Sequence, residues 1–200
     1  MHELKHTHAN DGNRMPPTKI MLIRHGEKQI SPPPAGIDEN GTHDKHALTP
    51  RGWQRAGALV PLFRGQIPSP SIARPTAIFA AAVGDDRPPI LAPDGEEIGK
   101  SLRPQETIAP LSRAMSIDVN TDFFVGDEAK VVQAISALDG VVLVAWEHDH
   151  LPAIARAFSA NAPEAWPGAD VFDLVWVLDR RGDTYAFESV RQSLLDGDAI

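Results

Sequence analysis

"IMLIRHGEKQ", residues 20–29, runs four apolar side chains straight into Arg24, His25, Gly26 and Glu27. A short unbroken apolar run suits a strand covered on both faces, the usual condition in a parallel sheet. In open α/β sheets the ligand crevice lies outside the carboxyl ends of the strands. An arginine and a histidine at such an end are therefore candidates for binding or catalysis.

The rest of the chain supplies the sheet that this reading needs. "SPPPAGIDENGTHDKH", residues 31–46, reads as a loop. Thr49 then caps a helix that starts at Pro50 and carries Trp53, Ala56, Val60 and Phe63 at helical spacing. "TAIFAAAV", 76–83, reads as a second buried strand, followed by a long polar loop over 84–100. Residues 101–115 have Ile108, Leu111 and Met115 on one helical face, and Pro110 predicts a kink or restart there. A helix over 127–138 leads into "VVLVAW", 141–146, which ends in Glu147, His148, Asp149 and His150 before a further helix at 151–161. "DLVWVLD" and "TYAFESV" form a hairpin through "RRGD", 180–183. Strands alternating with helices predict an α/β fold with a mostly parallel sheet. The chain divides into a mobile polar tail, 1–17, and a single domain, 18–200.

Composition narrows the function. The chain has 200 residues, a net charge of −8 and no cysteine. Thiolate metal sites, disulfides and cysteine nucleophiles are excluded. A duplex nucleic-acid partner is disfavoured by the acidic balance. No segment approaches the roughly 18 apolar residues of a membrane span, and the first 18 residues lack a signal-peptide core. The expectation is a soluble cytoplasmic protein with no membrane or nucleic-acid partner. Oligomeric state is not legible.

Two strands thus end in polar clusters, Arg24-His25-Gly26-Glu27 and Glu147-His148-Asp149-His150. If they are parallel near neighbours, His25 and His148 meet in one crevice, which Arg103 reaches from the start of the helix after the second strand. Arg24 and Arg103 are permanent cations whose forked donors match phosphate oxygens. Such charge beside a strand end is costly without an anion, so the arrangement anticipates a phosphoryl group. A rival chemistry uses the histidines as metal ligands, from His2, His6 and His8, from His43 and His46, or from His148, Asp149 and His150. No HExxH run supports it.

In order along the chain, "LIRHGEK", "LTPRGWQRAGAL", "LRPQET" and "VVLVAWEHDHLPAIARAF" resemble the signature segments of the histidine phosphatase superfamily, also called phosphoglycerate mutase-like. The resemblance covers about residues 18–198 and implies a three-layer sandwich, a mostly parallel central sheet flanked by helices. It further implies phosphomonoester hydrolysis of a small phosphorylated substrate, with no metal and no cofactor. His25 would be the nucleophile that becomes phosphohistidine, and Arg24, Arg103 and His148 would bind the phosphoryl oxygens. In one branch of the family an aspartate directly follows the second histidine and acts as the general acid. His148-Asp149 fits that pattern, with Glu147 competing for the role.

The sequence departs from the family in two places. "SIDVNTDFFVGDEAKV", 116–131, lacks the mutase branch's glutamate followed by glycine, which argues against a sugar-phosphate mutase. The long 84–100 loop separates the second strand from Arg103, leaving Arg87 and Arg113 as alternative second arginines. A phosphoester-binding module without turnover is the alternative function. Substrate choice falls to loops 29–47 and 84–100.

Overall fold

Ile20, Met21, Leu22 and Ile23 are all fully buried, because the strand that carries them is enclosed on every side. The computed structural model describes residues 15–29, 35–84, 90–91, 95 and 97–198. Along the chain it contains β1 (Lys19–Arg24), α1 (Pro50–Phe63), β2 (Ala77–Ala80), a 3₁₀ turn (Ile98–Lys100), α2 (Arg103–Met115), β3 (Val119–Asn120), α3 (Glu128–Ser136), β4 (Val141–Trp146), α4 (Leu151–Phe158), β5 (Leu174–Arg181) and β6 (Thr184–Arg191). The six strands form one sheet in the order β3-β2-β4-β1-β5-β6. β3, β2, β4 and β1 run parallel, and β5 and β6 are antiparallel to their neighbours.

The period of two along each strand sorts side chains into two helical layers. Ile20, Leu22, Val142, Val144, Trp146 and Trp176 pack against Val131 and Ile135 of α3 and Ile154 of α4. Met21, Ile23, Leu143, Ala145 and Val175 pack against Leu59 and Phe63 of α1 and Leu111 and Met115 of α2. The result is a three-layer α/β/α sandwich with a mostly parallel sheet. β1 and β4 are adjacent and in register, Arg24 opposite Trp146. Their carboxyl ends, and the two polar clusters, therefore share one edge of the sheet.

Several local expectations need correction. α2 runs unbroken through Pro110, and α1 likewise contains Pro61. An interior proline costs about 3 kcal/mol. Burial of Ile108, Leu111 and Met115, at about 1.5–3 kcal/mol each, outweighs that. The buried stripe of α1 includes Arg55, Leu59 and Leu62 rather than Trp53 and Val60. β2 ends at Ala80 rather than 83, since Ala80 is the last residue paired with β4. The 84–100 segment contains the 3₁₀ turn and a Leu91–Glu97 bridge. Residues 1–14 of the expected tail lie outside the described residues, whereas Pro17 is buried and accepts a hydrogen bond from the Tyr185 hydroxyl at 2.7 Å.

The turn after β1 is pressed onto α1. The Thr49 side chain caps the helix by accepting from the Gly52 N–H at 3.2 Å, and its own N–H donates to Glu27 O at 2.9 Å. A Cβ on Gly52 would sit 2.7 Å from Glu27 O, so this approach requires glycine. Alanine would gain about 1 kcal/mol of helix propensity if propensity alone mattered. Gly52→Ala is expected instead to destabilise by about 1–3 kcal/mol, as overpacking does. A urea midpoint equal to or above that of the parent chain would contradict the contact.

Candidate active site

Arg24 ends β1 with its guanidinium almost completely buried, only 1% of the residue being exposed. Nη1 donates to Ala169 O at 2.6 Å, and the group lies 4.0 Å over the Phe172 ring. Nε and Nη2 are buried and have no hydrogen-bond partner among the described residues. Burial lowers the Arg24 pKa to about 10 against the opposing pull of Glu147 and Asp149. The group remains a cation at neutral pH. A buried cation with two unpaired donor nitrogens is expensive, and an oxyanion would satisfy both.

His25 follows, also buried. Its Nδ1 lies 2.7 Å from Gly26 O. A carbonyl only accepts, so Nδ1 carries the proton and Nε2 presents a lone pair. Burial first, then the charges of Arg24 and Arg103, hold the imidazole well below its ordinary pKa. The ring is neutral around pH 7.

Arg103 opens α2, where its Nε donates to Ala47 O at 3.1 Å and its Nη2 to Lys45 O. Those carbonyls belong to a strap, residues 45–48, that α2 also grips through Leu102 N–H to His46 O and Leu48 N–H to the Glu106 carboxylate at 2.7 Å. The charges of Arg24, Arg103 and His148 all act on the His25 ring. Arg24 and His25 stand at the end of β1, His148 follows the end of the neighbouring β4, and Arg103 opens α2. Of the alternative arginines, Arg113 is an exposed residue paired with Glu39 at 3.9 Å, and Arg87 lies outside the described residues.

The two acids after β4 are placed differently. Glu147 is buried, contacts His148 Nδ1 through Oε1, and accepts the Asp149 N–H through Oε2 at 2.7 Å. Burial works to raise its pKa, but the hydrogen bond and charge of His148 prevail and keep it below the ordinary carboxylate value. Asp149 has a 43% exposed side chain with Oδ1 3.6 Å from His148 Nε2. Glu147 is a buried carboxylate in contact with His148, whereas Asp149 is open to solvent.

Of the proposed metal ligands, His148 and Asp149 lie together with Glu147, one ligand atom from each being within 4.8 Å of the others. His150 is turned away from them onto Glu128, with Nδ1 3.0 Å from Oε1. That bond raises the His150 pKa against the effect of burial. His43 is exposed, and His2, His6 and His8 lie outside the described residues. No helix among the described residues is long and apolar enough to cross a membrane.

No protein-family model matches the sequence, and no curated protein matches it either. Solved structures do match. The protein histidine phosphatase SixA complexed with tungstate aligns with a TM-score of 0.50 and 10% identity, over 87% of this chain and 97% of that one. Mycobacterial glucosyl-3-phosphoglycerate phosphatase complexed with VO3 aligns with a TM-score of 0.53 and 14% identity, over 88% and 100%. The chain has the histidine phosphatase fold.

Other features of the site carried no local sequence signal. Ala169, Val171 and Phe172 reach Arg24 from a loop about 145 residues later. Glu27 pairs with Arg55 at 2.7 Å, and Arg55 with Asp198 at 2.6 Å, which ties the turn after β1 to the C-terminal segment. Phe172 and Asp170 also line a neighbouring polar cavity of ≈220 Å³ together with Glu27, Arg51, Arg55 and Asp173. The i, i+4 spacing of Arg51 and Arg55 is the one hint of this network in the sequence.

Glu106, half-buried beside the strap, has its pKa raised to about 7. Burial is the main cause, helped by Asp44 and Asp38 and opposed by Leu48 N–H and Arg103. The folded state therefore holds this proton more tightly than the unfolded one. Stability falls as pH rises from the ordinary 4.5 to about 7 and stays reduced above it. Glu106→Gln keeps an acceptor for Leu48 and removes the charge. Its Tm is expected to equal the parent's near pH 4.5 and to exceed it by about 2–4 °C at pH 8, after allowance for solvent screening. An unchanged difference across that range in a thermal melt would contradict the shift.

Proposed function

We propose that the chain is a phosphomonoesterase that acts through a phosphohistidine on His25. The observation that carries this reading is the pair of unpartnered, buried Arg24 donor nitrogens beside a neutral imidazole whose Nδ1 proton is committed to Gly26 O. The structural matches add the fold, and two of those proteins were captured with tungstate or VO3.

The phosphoryl oxygens take hydrogen bonds from Arg24, Arg103 and His148, which neutralise the charge spread over them in the transition state. No metal is assigned to this step. The His25 Nε2 lone pair attacks phosphorus while the phosphorus–oxygen ester bond breaks. The leaving oxygen takes a proton from Asp149, and the alcohol departs. Water then attacks the phosphohistidine, returns a proton to Asp149, and breaks the phosphorus–nitrogen bond to release phosphate. Glu147 is disfavoured as the acid because His148 and the Asp149 N–H hold it as a carboxylate. The substrate is a small phosphoester, its leaving group lying towards solvent beside Asp149.

His25→Ala should lose about 10³-fold or more in p-nitrophenyl phosphate hydrolysis while keeping a native melt. Parent activity should persist in excess chelator, and acid quench should trap label on His25. Retained hydrolysis in the alanine variant, or binding of phosphoester with no trapped label, would remove the proposal. Asp149→Asn is expected to lose about 10²–10⁴-fold with an alkyl phosphate and much less with p-nitrophenyl phosphate. Glu147→Gln should weaken both substrates equally through His148. A leaving-group-dependent loss in Glu147→Gln instead would reverse the two roles.

A further inference from the structure

Thr107 lies one helical turn after Arg103, fully buried, and touches the residue next to His25. Its hydroxyl has one proton, which it donates to Arg103 O at 2.7 Å. An Oγ1 lone pair accepts the Gly26 N–H, also at 2.7 Å. Gly26 O in turn accepts the His25 Nδ1 proton at 2.7 Å. Three short bonds thus run from the imidazole through the Gly26 backbone and Thr107 into the first turn of α2.

Gly26 is held on its other side as well. A Cβ there would meet Gly52 O at 3.1 Å and the Leu48 side chain at 3.2 Å. The N–H held by Thr107 and the α-carbon packed against α1 restrict the backbone that carries the Gly26 carbonyl. The direction of that carbonyl sets the His25 ring plane, and hence where Nε2 aims. Arg103 leaves the same turn of the same helix, so the ring and the second guanidinium are referenced to a single rigid element.

We infer that Thr107 is a positioning residue that fixes the line of attack of His25 on a phosphoryl group held by Arg24 and Arg103. The inference rests on the phosphohistidine reading above. It assigns Thr107 no contact with substrate; the residue acts only through Gly26. Losing the hydroxyl strands the buried Gly26 N–H and frees the peptide to rotate. The phosphate-binding guanidinium groups stay in place. The loss should therefore appear in the chemical step and spare oxyanion affinity.

The test compares Thr107→Val, nearly isosteric without the hydroxyl, with Thr107→Ser, which keeps it. Single-turnover phosphorylation of His25 by p-nitrophenyl phosphate should slow by about 10²-fold in the valine variant, the scale of a 1 Å misplacement. The inhibition constant of tungstate should change by less than about threefold. Serine should restore phosphorylation to near the parent rate. ¹⁵N spectra of His25 should show the Nδ1–H tautomer in the parent and serine chains and a tautomer mixture in the valine variant. If valine does not fold, Thr107→Cys supplies a weaker acceptor and should fall below serine in both measurements. A valine or cysteine variant with parent rate and tautomer would overturn the inference. So would equal losses in rate and tungstate affinity, or a serine variant as impaired as valine. Should the parent chain form no phosphohistidine, the functional reading fails by itself, and the tautomer comparison still decides the role of Thr107.

Discussion

The structure turns on a cation in the wrong solvent. Arg24 sits at the end of the central strand with almost no access to water, and its charge survives because several groups share the cost. Ala169 O takes one N–H, the Phe172 ring faces the guanidinium plane, and Glu147 and Asp149 supply opposing charge. Nε and Nη2 are left without a partner among the described residues. A chain of net charge −8 thereby holds a small region of positive potential at one edge of its sheet. Fixed donors in a water-poor site are worth far more to a developing negative charge than the same donors in water.

The same charge governs the proposed nucleophile. A histidine beside two arginines and a second histidine would be a poor base anywhere; buried as well, His25 has no incentive to take a second proton. The site thus keeps its imidazole neutral by the same charges that would attract an anion. Glu147 works in the opposite sense, a buried carboxylate whose hydrogen bonds from His148 and the Asp149 backbone keep it ionised. Asp149, two residues further on, is left exposed. Their surroundings differ because the chain leaves the strand at Trp146 and turns, so the two-residue spacing no longer keeps both carboxyls on one face.

Around this centre the turn after β1 is held by three separate elements. Gly26 is bonded to α2 through Thr107, Glu27 is paired with Arg55 of α1, and Arg55 reaches on to Asp198 near the C-terminus. Buried ion pairs contribute little net stability over apolar packing, but breaking one partner is strongly destabilising. They serve here as a register device that gives the turn one position. The unbroken path of α2 through Pro110 shows the same priority, since tertiary burial of one helical face overrides a local defect.

The buried strands could be read from their apolar runs and the polar residues that end them, because burial on both faces of a sheet leaves an unbroken apolar signature that needs no partner to be seen. Arg24, His25 and His148 were legible for that reason, and Thr49 and Pro50 marked a helix start through their own backbone chemistry. Arg103 was legible only through its place after the second strand and a family likeness. The orphaned donors of Arg24, the tautomer of His25, the different surroundings of Glu147 and Asp149, and the partners of Arg55 were not. Each depends on a group that approaches from a distant part of the chain, and hydrogen-bond direction and desolvation exist only once those groups are in place. Residues 20–29 by themselves specified a buried strand with a cation at its tip; folding decided which of that cation's hydrogen bonds would stay open.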